Sequence, residues 1–476
     1  MGGPANGVTQ SNTNGTPDPL QPMAGARKKI TKNTRARIKI ASLNMRGFGN
    51  NTSNNKWNNI HRIIKEDRIG VLALQETHLT NENVDGLHAQ YGRRLRILHT
   101  SDPDDPSQRA GVAIVLNKDI TNIKDIRYTV IVPGRALLLY LPWHKDLKLS
   151  ILAVYAPNAS NENTAFWNKV YEFWNLSREP QPDIILGDMN IVEDSIDRFP
   201  PHLDDNNSVE ALNDVKARFT LIDGWRTIYP DSREFTYYQS QTGSQSRIDR
   251  IYVKDRMRKS TSDWEIKNTG INTDHKMVSV CVIDQKSPFI GPGRWSIPPF
   301  LLEDKEFRKQ IYELGGKLAT EAEQLITGQQ LRSEEQNLQN LFINFKSAVL
   351  VRAEERAKVA GPKIKKQLTK LRKEVHKLSK IPERMTELPQ ATIDNINIIN
   401  KRITDLEVKR HQRAKLTTTA RYRLEGETMS KYWTNITKEK KPRDVIYELK
   451  EHNSDPPQYL RRSDKMANTA KDFYQA

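Results

Sequence analysis

Asp188 and Asn190 are two residues apart at the end of a short apolar run, Asp183-Ile184-Ile185-Leu186-Gly187-Asp188-Met189-Asn190. Such a run, bounded by a turn signal, reads as a buried strand. It would deliver a carboxylate and a carboxamide where the chain leaves the sheet. Taken alone, the pair is what an ordinary turn contains, because Asp and Asn hydrogen-bond to their own backbone. The arrangement recurs, however. Asn44 ends Ile38–Leu43, Glu76 lies just beyond Val71–Leu74, and Tyr155 follows Ser150–Val154. Asp249 sits in Ser246-Arg247-Ile248-Asp249, and Asp274-His275 precedes an apolar strand containing Cys281. Each has a bland explanation: Glu76 as a helix-start acid, Tyr155 as a rim aromatic, Asp249 as a partner of Arg247 or Arg250, His275 as a capped surface histidine. Gathered at successive strand ends, they are the groups that hydrolysis needs: hard oxygen ligands, a base and proton donors.

The elements that must position these groups alternate. Strands are expected at 111–116, 136–140 and 235–238, and helices at 55–67, 166–176 and 209–219, where apolar residues recur at helical spacing. The pattern implies an α/β fold, a sandwich of two sheets packed face to face with helices outside, over residues 38–284. Residues 1–37, rich in Gly, Asn, Thr and Pro, are expected to form a disordered basic tail. A Gly/Pro linker is expected over 285–300, and a basic, mostly helical extension over 301–476. The 476 residues carry a net charge of +17, concentrated at the two ends, while the middle is close to neutral. A polyanionic partner fits that distribution. Lys363, Lys365, Lys366, Lys370, Arg372 and Lys373 crowd one segment opposed in sequence only by Glu374. A solvated helix face is the plain alternative, and a nucleic-acid tether is the reading preferred here. A single cysteine excludes an internal disulfide framework and fits a reducing compartment. No run is apolar enough to span a bilayer and no secretory leader is visible; the basic cluster Arg27–Arg37 suits a nuclear address.

The ordered series Asn44, Gln75-Glu76-Thr77, Tyr155-Ala156-Pro157, Gly187-Asp188-Met189-Asn190, Arg247-Ile248-Asp249 and Asp274-His275 resembles the endonuclease/exonuclease/phosphatase superfamily, which includes DNase I-like and abasic-site endonucleases. Leu221-Ile222-Asp223-Gly224-Trp225-Arg226 and Glu234-Phe235-Thr236-Tyr237-Tyr238 are similar to signatures of the endonuclease of LINE-type non-LTR retrotransposons. Gly291-Pro292-Gly293-Arg294-Trp295, Lys431-Tyr432-Trp433 and Lys440-Lys441-Pro442-Arg443-Asp444 resemble the segment joining that endonuclease to a reverse transcriptase. No Tyr-x-Asp-Asp box is present, so the polymerase is expected beyond Ala476.

The resemblance implies an Mg²⁺-dependent endonuclease, with Mn²⁺ as an acceptable substitute, that nicks target DNA and leaves a 3′-hydroxyl to prime reverse transcription. Glu76, Asn44 and Asp274 are the expected metal ligands. Asp188 would orient or deprotonate water with Asn190 beside it; His275, held by Asp249, would donate to phosphate, and Tyr155 would assist. Arg46, Thr236 and Ser246 are expected to contact DNA phosphate. Arg46 stands where many relatives carry a second carboxylate or carboxamide, which predicts one tightly held metal rather than two. The other readings are a phosphomonoesterase, a host abasic-site repair enzyme and a nucleic-acid-binding module with a dead nuclease. Element RNA is a further expected partner of the extension.

Overall fold

The chain is described here by a computed structural model covering residues 37–49, 56–143, 147–284, 295–360, 363–378 and 388–425, then 434, 438, 446, 448–451 and 454–475. The expected tail, the Gly291–Arg294 turn and the Lys431–Trp433 and Lys440–Asp444 motifs lie outside those residues.

In chain order the first half contains β1 (Arg37–Asn44), α1 (Lys56–Glu66), β2 (Ile69–Gln75), α2 (Asn81–Tyr91), β3 (Leu95–Thr100), β4 (Val112–Asn117), β5 (Arg127–Val132), β6 (Ala136–Pro142) and β7 (Lys148–Tyr155). Next come α3 (Ser160–Leu176), β8 (Ile184–Asp188), β9 (Arg198–Phe199), α4 (Asn206–Phe219), β10 (Leu221–Asp223), α5 (Gly224–Ile228), β11 (Tyr237–Tyr238), β12 (Gln245–Ser246), β13 (Asp249–Lys254), β14 (Thr261–Lys267) and β15 (Met277–Ile283). Helices α6 (Lys305–Ile326), α7 (Leu338–Val359), α8 (Lys363–Leu378) and α9 (Gln390–Glu425) follow.

Two six-stranded mixed sheets result, ordered β14-β15-β1-β2-β4-β3 and β10-β13-β8-β7-β6-β5. The pairs β1–β2 and β7–β8 are parallel and the other pairings within these two sheets antiparallel. Val71 and Ala73 of β2, with Ile184 and Leu186 of β8, enter the core between the sheets. Leu72 and Leu74 point the other way, onto Trp57, Ile60 and Ile64 of α1 and Leu87 of α2. Ile185 likewise faces Phe166, Trp167 and Val170 of α3 and Leu212 of α4. Strands covered on both faces have no polar face to alternate with, which is why they read as continuous apolar runs. The layers are helix, sheet, sheet, helix, as the sequence predicts.

Gly187 shows why the β7–β8 pairing admits only glycine. A Cβ there would lie 1.9 Å from the Val154 carbonyl oxygen. This close approach sets Tyr155 opposite Asp188, while the antiparallel β13 sets Asp249 opposite the same residue.

Several boundaries differ from expectation. β1 begins at Arg37, which pairs with Ile283 and bonds Asp263 at 3.0 Å. The strand expected over 235–238 is only Tyr237–Tyr238, because Phe235 and Thr236 turn into the interior. The 3₁₀ turn over Pro299–Glu303 begins within the last residues of the expected linker, where Ile297 and Phe300 pack against buried Leu301, Phe307 and Ala353. No helix among the described residues is long and apolar enough to cross a membrane.

Candidate active site

The strand ends converge. Asn44, at the end of β1, donates through Nδ2 to Glu76 Oε1 at 2.8 Å and to Asp188 Oδ2 at 2.9 Å. Its Oδ1 accepts the Arg46 N–H at 3.0 Å. Asn44, expected as a metal ligand, thus brackets two carboxylates through its nitrogen while its oxygen accepts from the backbone. Tyr155 donates its hydroxyl proton to the same Glu76 oxygen at 3.0 Å. Burial, followed by the charges of Glu76 and Asp188, pushes that phenol far up, so it remains a donor.

Asp188 is 1% exposed. Its Oδ1 accepts the Asn190 N–H at 3.0 Å, and Asn190 Nδ2 donates to the Ala156 carbonyl at 2.7 Å. Asn190 therefore holds Asp188 through its backbone, with its amide nitrogen committed elsewhere. Burial first, and then the Asp249 charge, raise the Asp188 carboxyl well above the usual carboxylate range, opposed by His275 and the Asn44 hydrogen bond. Asp249 Oδ2 meets His275 Nδ1 at 2.9 Å. Burial alone would lower the imidazole, but Asp249, Asp188 and Asp274 outweigh it and raise the pKa to about 10. Ligand atoms of Asp188, Asp249 and His275 all lie within 4.8 Å of one another.

Asp274 faces outward and pairs with Arg46 Nη1 at 3.1 Å. Arg46, Glu76 and Asn190 all have positive φ (50°, 47° and 53°). Left-handed backbone at non-glycine residues costs about 1–3 kcal/mol each and collects at functional sites. Here it turns the chain sharply just after β1, β2 and β8 end.

Two of the expected phosphate contacts are otherwise engaged. Thr236 is 0% exposed. Its Oγ1 accepts the backbone N–H groups of Ile248 at 3.1 Å and Asp249 at 3.0 Å, so it fixes Asp249 in place and does not face substrate. Ser246 Oγ accepts from Arg198 Nε at 3.3 Å. In the expected tether, Arg372 is also committed: it pairs with Glu407 Oε1 at 2.8 Å, an acid from α9 that sequence proximity could not reveal. Lys363, Lys365, Lys366, Lys370 and Lys373 are exposed.

Three contributors escape the sequence reading. Lys56 of α1 donates to the carbonyls of Met45 at 2.7 Å, Arg46 at 2.7 Å and Gly47 at 3.2 Å, and so pins the loop after β1. Tyr237, whose ring centroid lies 5.0 Å from that of His275, packs against the imidazole. Asp197 accepts two 2.7 Å bonds from Arg247 and one of 3.2 Å from Arg250. Arg247 and Arg250 are therefore not partners of Asp249, and the cluster formed with Asp223, Arg226 and Glu193 locks β13 behind the site.

Residues 41–273 match the family described as Endonuclease/Exonuclease/phosphatase family. The resemblance drawn from the motifs is borne out by this match. Among known proteins, the Transposon TX1 uncharacterized 149 kDa protein of Xenopus laevis is 28% identical over 276 residues, 58% of this chain. The chain spans about a fifth of that relative's length, the match covering 20% of it. Similar solved structures include the AP endonuclease LMAP from Leishmania major (16% identity, TM-score 0.43, covering 52% of this chain and 88% of that one). The endonuclease domain of TRAS1, a telomere-specific non-LTR retrotransposon, is similar at 12% identity and TM-score 0.38, covering 52% of this chain and 99% of that one.

Proposed function

We propose that the chain is a divalent-metal-dependent endonuclease that nicks DNA and leaves a 3′-hydroxyl able to prime reverse transcription. One observation carries this reading. Asp249 is matched by His275 and Asp274 by Arg46, whereas Asn44 bridges Glu76 and Asp188, Tyr155 donates to Glu76, and among the described residues no Lys or Arg pairs with either carboxylate. Two carboxylates bridged by one amide, with the nearby His275 imidazole hydrogen-bonded to Asp249, leave Glu76 open to a metal. The all-oxygen character of the pair fits Mg²⁺, with Mn²⁺ also acceptable. Glu76 would hold the ion, with Asp188 beside it and Asp274 within reach once released from Arg46. The Arg46 charge at that edge favours one ion over two. When bound, the ion neutralises phosphate charge and stabilises the leaving oxygen.

The protein's own groups supply the remaining chemistry. His275, oriented by Asp249 on Nδ1, presents Nε2 to a non-bridging phosphate oxygen, where negative charge grows in the transition state. Asp188 takes a proton from, or orients, the attacking water. A water-oxygen–phosphorus bond forms, the phosphorus–O3′ bond breaks, and O3′ takes up a proton. The products are a 5′-phosphate and a 3′-hydroxyl. Tyr155 keeps its proton directed at Glu76 and holds that carboxylate in place.

Supercoiled plasmid tests the reading. Mg²⁺-dependent conversion to nicked circles that a DNA polymerase can extend, lost in Asp188→Ala and His275→Ala, is the expected result. Tight plasmid binding by the intact chain with no nicking would contradict it. Phosphate release from inositol phosphates at a comparable rate would instead favour the monoesterase reading.

A further inference from the structure

The helical extension is packed onto the nuclease domain at the two segments that flank His275. The first is the loop between β14 and β15. Asn268 Nδ2 donates to Asn400 Oδ1 of α9 at 3.3 Å. Gly270 has φ +75°, and a Cβ on it would lie 2.7 Å from Glu407 Cγ. The second segment is the β11–β12 hairpin. Asn397 Nδ2 donates to the Ser240 carbonyl at 3.1 Å, and Tyr238 packs on the apolar cluster that contains Leu368 of α8 with Ile396 and Leu406 of α9.

At the centre is Glu407, 1% exposed. It pairs with Arg62 of α1 at 2.7 Å, Arg372 of α8 at 2.8 Å and Arg410 of its own helix at 3.6 Å. Arg410 also pairs with Glu66 of α1 at 2.6 Å. A buried carboxylate surrounded by three guanidinium groups from three helices fixes their relative placement, because Glu407 without them would be an uncompensated buried charge.

Both contacted segments lead directly to the reacting groups. The Tyr238 N–H donates to the Asp274 carbonyl at 3.1 Å, the Lys276 N–H to the Thr236 carbonyl at 2.7 Å, and Tyr237 forms an isolated β-bridge with His275. Thr273 Oγ1 donates to the Asn44 carbonyl at 2.9 Å, tying the same loop to the end of β1.

We infer that the α8–α9 hairpin, pinned by Glu407, is a positioning element for the Asp274–His275 loop, so that the extension is a working part of the site in addition to any role in holding nucleic acid. Its catalytic consequence rests on the nuclease reading above; the docking itself does not. A helix pair that merely tethers nucleic acid would alter substrate affinity. One that sets the imidazole's place alters turnover, because displacing a reacting group by an ångström is felt in the transition state.

The test uses the intact chain in three forms: unchanged, Glu407→Gln, and Asn400→Ala, which removes a single polar contact and leaves the ion cluster whole. Amide hydrogen exchange is followed at 238–246 and 268–275, and plasmid nicking is resolved into kcat and KM. The expected result is faster exchange in both segments for both variants, larger in Glu407→Gln. With it, kcat falls by roughly 10- to 100-fold in Glu407→Gln while KM for DNA stays within about twofold. If Glu407→Gln fails to fold, Asn400→Ala decides, with the same direction and a smaller size. Unchanged exchange in both segments overturns the inference. So does a rise in KM at constant kcat, or a gain in kcat, which would make the docked hairpin a brake. Exchange needs no turnover, so a chain that never nicks DNA would defeat the nuclease reading while leaving the docking claim to be judged alone.

Discussion

Asn44 and Asp249 do different work from the groups they touch, and that difference can be measured. Asn44 keeps Glu76 and Asp188 close by donating one N–H to each. Replacing it with Ala lets the two charges separate, which should weaken metal binding by about tenfold, the equivalent of roughly 1.4 kcal/mol. A titration of nicking against Mg²⁺ concentration would show the half-maximal point move by that amount; no movement would remove the bracketing role. Asp249→Asn leaves the imidazole without the carboxylate that orients it. The expected outcome is a kcat lower by about 10²- to 10⁴-fold with DNA affinity nearly unchanged. Equal losses in affinity would mean that the dyad binds substrate in the ground state.

At the scale of elements, β13 carries Asp249 and is held from behind by buried charges. Asp197 is 2% exposed and accepts from Arg247 and Arg250. Burial by itself would raise its pKa, but the Arg247 hydrogen bonds and the charges of Arg250, Arg247 and Arg226 hold the carboxyl far below its ordinary 3.8. A depressed folded-state value contributes stability that is present above the unfolded pKa and lost as the pH falls below it. Asp197→Asn should therefore unfold more easily at neutral pH, by about 1–3 kcal/mol, because two buried arginines lose one of the acids that pair with them. It should also lose the part of the fall in stability expected below about pH 4 that comes from Asp197. Denaturant melts across that range would check both points; parallel curves for parent and variant would contradict the assignment.

These elements also show what the sequence could convey. Strands β2, β4, β7 and β8 are covered on both faces, so their apolar runs and the polar groups at their ends stand out in the chain. The two-residue strands β9, β11 and β12 are too short for any periodicity, so the sequence does not reveal that the Thr236 hydroxyl accepts from the Asp249 backbone. Asp197 lies 50 residues from Arg247 in a 3₁₀ turn, and no spacing rule connects them. Asn44 was legible as a site residue, but which end of its amide faces the carboxylates is decided by the Arg46 N–H, a contact made only in the folded loop.

For the whole molecule, the +17 charge is divided between the chain's ends and the folded middle carries little of it. On α8, Arg372 is spent on Glu407, while Lys365, Lys366 and Lys370 are exposed. If that face meets nucleic acid, changing the three lysines to Ala should lower the slope of log affinity against log salt by about 2–3, since each neutralised phosphate contributes roughly 0.9. Fluorescence anisotropy with duplex DNA and with RNA over a salt series would show which ligand responds; the same slope for both proteins with both ligands would leave the helix as a solvated face. The effect should fall on affinity, and the Glu407 cluster should govern turnover.

The central claim is that Glu76 and Asp188 form a single cation site which the neighbouring His275–Asp249 pair uses to cleave a phosphodiester. Calorimetric titration of Mg²⁺ into the intact chain, its Glu76→Gln variant and its His275→Ala variant tests it most directly. The account predicts one site per chain, abolished in Glu76→Gln and retained in His275→Ala although nicking is lost in both. Two independent sites, or binding that survives Glu76→Gln unchanged, would contradict it.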